Sequence, residues 1–153
     1  MVFLHLLFVV GGFGFLIFNA AHLTLARRAG SPGAFEVNRD LSRLAEIFVV
    51  GAFVFGIAAV GSSNKEFDFG DGWVIGAMIA WIVDMGILHG LIKPQQRKFV
   101  EAAGKAARAG SQGGEPPELA ELNKREKVIS LGWGAFNVIF LVALYLMVFK
   151  PGS

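Results

Sequence analysis

The sequence predicts an all-α integral membrane protein, a four-helix bundle whose four spans form a single domain over residues 1–153. Three observations predict it. The chain is 54% apolar and 17% charged, where a soluble domain holds about 45–50% and about 25%. Its charges are clustered, so they leave four long runs that are almost free of charge. Those runs show no alternation in segments of about 10 residues, which a membrane barrel requires. Whole-chain disorder is excluded by the same apolar content. Cysteine is absent, which excludes disulfide frameworks, thiolate metal sites and cysteine nucleophiles.

The first run, Val2 to Ala26, has 25 residues without a charge. It lacks a basic stretch before it and exceeds the usual apolar core of a signal peptide, so it reads as a retained helix. The second uncharged run, Ile47 to Asn64, has 18 residues, and its helix is expected from about Leu44. Asp40 or Ser42 is the expected cap, after a turn at Gly30-Ser31-Pro32-Gly33. The third run, Gly72 to Ile92, is broken only by Asp84, and the fourth, Val128 to Phe149, is uncharged. Each run fits the roughly 20 residues of helix that cross a bilayer core. The expected spans are thus residues 2–26, 44–63, 72–93 and 127–149, with one long loop at 94–126.

Within that loop Pro94 is expected to end or kink the third span. Phe99, Val100, Ala103 and Ala107 recur at helical spacing among basic residues, so residues 95–108 read as a surface helix on the headgroups. Residues 109–117 read as a linker, and Pro116-Pro117-Glu118 as the start of a helix running into the fourth span.

Of the fourteen Lys and Arg residues, twelve fall between spans one and two or between spans three and four. Basic residues mark the cytoplasmic side. The expected location is therefore a cell inner membrane, multi-pass, with loops 27–43 and 93–127 cytoplasmic and both termini outside. The basic residues are then topology and headgroup signals, and no nucleic-acid partner is implied. Trp73, Trp133 and Tyr145 near span ends suit an interfacial belt, while Trp81, in mid-span, needs a packing or hydrogen-bonding partner.

Polar residues inside spans are functional candidates by default. His22, Glu46 and His89 lie three to five residues inside the basic boundary, on three helices. Asn19, Asp84 and Asn137 lie deeper, and His5 is near the outer end. On helix one, His5, Asn19 and His22 share an arc of about 100°, whereas Asp84 and His89 are about 140° apart on helix three. Imidazoles ligate heme b and divalent metals, so His22 and His89 are the leading ligands, with Glu46 completing a two-His-one-carboxylate set for copper or another divalent ion. Asp84, with Asn19 and Asn137, offers a proton or cation pathway or a hydrogen-bond network, in a small oligomeric transporter. A third reading is an accessory subunit of a larger membrane complex. The spans contain many glycines, which let helices approach closely; left-handed packing and self-association are expected.

The segment Phe3-Leu4-His5-Leu6-Leu7-Phe8-Val9-Val10-Gly11-Gly12 resembles the opening helix of the group around the CopD copper-resistance protein. That group is similar to the HemJ-type protoporphyrinogen oxidases and includes small uncharacterised integral-membrane proteins. The resemblance implies four helices and heme b or metal binding through an early His in helix one and a late His in helix three, here His5 and His89. The run Gly72 to Ile92 lacks the Lys that the HemJ type carries in helix three, and the Met-rich copper motifs are missing. His5 and His89 fall on opposite sides in the expected topology, so they do not ligate one ion together, and His5 is left to pair with a partner chain or to serve a second site.

Overall fold

The computed structural model describes residues 1–29, 32–64, 66–110 and 118–151. The chain forms α1 (Val2–Ala29), α2 (Pro32–Gly61), α3 (Gly72–Ile87), a π-helical turn (Leu88–Ile92), α4 (Lys93–Gly110) and α5 (Glu118–Phe149). Among the described residues, four helices are long and apolar enough to cross a membrane, and there is no strand. Large apolar side chains stay exposed along every span, among them Phe3, Ile47, Ile82 and Leu141. A lipid-facing helix surface has this composition.

Helix α1 packs along α2, and α3 along α5. Glycine makes the first contact close. A Cβ at Gly11 would collide with the Phe48 ring, and one at Gly51 with the Phe8 ring. Each helix thus seats an aromatic ring in the other's glycine notch, and the Phe8 and Phe48 rings lie 5.3 Å apart.

Helix α2 begins at Pro32, well before the expected Leu44. Proline suits the first helical position, where its missing N–H is not needed. Ser42 therefore does not cap the helix. It sits within it and donates to the Asn38 carbonyl oxygen at 2.9 Å.

Nor does the third span end at Pro94. The backbone widens into the π turn, in which the Lys93 N–H reaches the Leu88 carbonyl. Proline has no N–H to give, and in a regular helix its ring would strike the carbonyl four residues back. The wider turn relieves that conflict. Helix α4 then continues against α5. Phe99 is only 3% exposed, and Arg125 Nη1 donates to Gln95 Oε1 at 2.9 Å.

The core is thickest at this end of the bundle, where Ala45, Val49, Leu88, Ile92, Phe99, Ile129, Trp133 and Phe136 form one cluster. Trp133 is 1% exposed. It belongs to the interior and not to an interfacial belt, because Ile129, Trp133 and Phe136 share one stripe of α5. Trp73 is also buried, edge-on to Phe67. Tyr145 is exposed, as a belt residue would be. Of the turn expected at residues 30–33 and the linker expected at 109–117, residues 30–31 and 111–117 lie outside the described residues, while 32–33 and 109–110 are helical.

Candidate functional site

Glu46 and His89, which the sequence places at matched depth, stand side by side. His89 Nε2 lies 2.9 Å from Glu46 Oε1, and His89 Nδ1 lies 3.1 Å from the Met85 carbonyl oxygen. A carbonyl and a carboxylate both only accept, so both ring nitrogens face acceptors. Lys93 joins them one helical turn beyond His89. Its Nζ donates to Glu46 Oε1 at 2.6 Å and is also 2.6 Å from Oε2, and it lies 3.2 Å from His89 Nε2.

This cluster does not fit a metal ion, because an ammonium already contacts both carboxylate oxygens. Among the described residues, no three His, Cys, Asp or Glu side chains form a group able to hold a metal, so His22 does not complete the set with Glu46 and His89. His22 Nδ1 is buried without a hydrogen-bond partner, as is Asn137 Oδ1.

Asn19 is expected beside Asp84 and Asn137, but it belongs to a different network. Its Nδ2 donates to Ser42 Oγ at 2.7 Å. Asn38 Nδ2 donates to Asn19 Oδ1 at 2.5 Å and to the Asn19 carbonyl at 3.0 Å. Gln96 Nε2 donates to Ser42 Oγ at 2.8 Å. All four side chains are buried. They tie α1, α2 and α4 together and leave Asp84 and Asn137 out.

The other half of the bundle holds a cavity of about 490 Å³. Its walls come from the N-terminal half of α1, the C-terminal halves of α2 and α5, the connection before α3, and α3 itself. The walls are apolar for a readable reason. Small residues (Ala52, Gly56, Ala77, Ala143) line it where three helices face one another, and aromatic rings close its sides. Trp81 stacks on Phe53 with centroids 3.9 Å apart and donates Nε1 to the Val49 carbonyl at 3.3 Å.

Two sequence candidates line this cavity. His5 Nδ1 lies 2.7 Å from the Ala52 carbonyl oxygen. Because that oxygen only accepts, Nδ1 carries a proton. Asp84 also lines the cavity. It is 2% exposed, and its Oδ1 is buried with no hydrogen-bond partner. Asp84 and His89 thus diverge, one inward and one to an exposed position, as their angular separation requires. At the cavity's other end stand Glu66 and Lys150, and Lys150 Nζ lies 3.8 Å from the centroid of the Phe67 ring.

Comparison with known proteins gives no match to a family model, to a curated protein or to a solved structure.

Proposed function

We propose that this is a multi-pass inner-membrane protein that takes an apolar small molecule into the cavity between its helices. Both termini and the connection between α2 and α3 face outside in this reading, so the cavity belongs to the outer half of the membrane. The supporting observation is the cavity itself: about 490 Å³, apolar, and walled by alanines and aromatic rings. Ligand pockets have this size and character. Trp73 and Trp81 stand in its wall and serve as built-in donors for fluorescence energy transfer.

The test uses protein in phosphatidylcholine nanodiscs and a neutral dansyl alcohol on a five-carbon chain. Saturable tryptophan-to-dansyl transfer is expected, and it should be lost in Ala77→Phe, which fills the space from α3. Equal transfer in both proteins would remove the reading. A reporter fused after Ser153 that reads cytoplasmic would overturn the orientation.

His5 favours a second reading, in which heme b occupies the same cavity. An imidazole with Nδ1 held by a backbone carbonyl has its Nε2 lone pair oriented for a ligand. His5 would hold the heme, which would supply one-electron transfer. A reduced-minus-oxidised spectrum decides it: a heme band lost in His5→Ala supports it, and no band from heme-replete cells removes it.

A further inference from the structure

From the unpartnered carboxyl oxygen inside the cavity, we propose that the ligand is a lipophilic amine, held by Asp84 and the neighbouring face of Trp81. The proposal rests on the cavity being a binding site and names what binds there.

Asp84 is buried, and its Oδ1 has no partner. Leaving a buried acceptor unpaired is costly, more so for a carboxylate. The other polar residues of the spans do not satisfy it. Asn19 is bonded to Ser42 and Asn38, and His5 Nδ1 is bonded to the Ala52 carbonyl. Asn137 Oδ1 is itself without a partner. Lys150, the basic residue lining the cavity, stands at the opposite end, over the Phe67 ring. The site therefore presents an unpaired carboxyl oxygen surrounded by apolar walls.

A primary or secondary ammonium supplies what the site lacks: hydrogens for Oδ1 and a positive charge that would hold the carboxyl ionised. Trp81 lies three residues before Asp84, adjacent on the same helix face, and it also lines the cavity. Carboxylate and indole together form the pairing that holds an organic cation, through a charge-assisted hydrogen bond and a cation–π contact. The remaining volume suits an apolar body. A bare metal ion would need several more oxygen ligands. A proton path would need polar groups to hold a file of water, and the cavity walls are apolar.

The experiment compares three dansyl probes of equal chain length in the same nanodiscs: dansylcadaverine, the corresponding alcohol and the corresponding carboxylate. In the wild type the amine should bind roughly tenfold or more tighter than the alcohol, as expected for a charge-assisted bond. The carboxylate should bind weakest. In Asp84→Asn the amine's advantage should vanish while alcohol binding persists, which also shows that the variant is folded. If Asp84→Asn does not fold, the wild-type ratio alone decides. Equal binding of amine and alcohol by the wild type would overturn this inference and leave the cavity reading standing. Saturable transfer from none of the three probes would overturn both.

Discussion

Ser42→Ala tests the network that ties the helices together. Ser42 Oγ accepts from Asn19 Nδ2 at 2.7 Å and from Gln96 Nε2 at 2.8 Å, and it donates to the Asn38 carbonyl. Alanine removes one small oxygen and leaves two buried amide N–H groups without that acceptor. In a soluble core each orphaned group costs about 1–3 kcal/mol. Inside membranes a side-chain hydrogen bond averages about 0.6 kcal/mol, because the unfolded helices also find partners. The network lies toward the polar segment of α2, between these limits, so a loss of about 2–3 kcal/mol is expected. Unfolding by sodium dodecyl sulfate in mixed micelles reads it, with exposed Ser62→Ala as a control within about 0.5 kcal/mol of wild type. In a double-mutant cycle with Gln96→Met, the combined loss should fall short of the sum by about 1 kcal/mol. A Ser42→Ala protein as stable as the control would refute the reasoning.

Gly51→Leu should destabilise by more than about 2 kcal/mol, because its side chain must displace the Phe8 ring from the α1–α2 contact. Gly14→Leu should be tolerated, since nothing lies within 4 Å of its added Cβ; the same micelle titration compares the two. Lys93→Ala removes the ammonium from Glu46, yet with side chains 33% and 21% exposed solvent screening limits the loss to about 1 kcal/mol. A loss of several kcal/mol there would mean the pair is buried more deeply than its exposure indicates.

The spans are legible in the sequence because lipid forces every outward position to be apolar, and little else produces four long uncharged runs in one chain. Helix ends are harder to read. Residues 36–43 are rich in charge and look like a loop by hydropathy, but Asn38, Ser42, Ala45, Val49 and Ala52 form a buried helical stripe. That periodicity is present in the sequence, and it marks both the early start of α2 and the buried network. Lys93 is also within reach of sequence reasoning. It looks like a boundary charge that only sets depth, although its spacing of four from His89 places both on one helix face. The pairing of Glu46 with His89 follows from depth. The place of Trp133 does not, because an indole near a span end suits an interface and an interior equally well.

The two halves of the bundle differ in side-chain volume, and that difference makes a last prediction. One half is filled by Trp133, Phe136, Leu88, Ile92 and Phe99. In the other, Ala52, Ala77 and Ala143 are buried along the cavity wall. If that space is a site kept open, filling it should improve packing and impair binding, the trade expected of a functional cavity. Ala143→Leu adds three carbons from α5, and Ala77→Leu adds them from α3. The gain comes from dispersion contacts, since lipid offers no hydrophobic drive between helices. It should therefore be modest, about 0.5–1 kcal/mol for each. Both variants should resist detergent unfolding slightly better than wild type while taking up less of the neutral dansyl alcohol. Destabilisation by more than about 1 kcal/mol would be the signature of an already filled site forced to overpack, and it would contradict an open cavity at this end of the bundle.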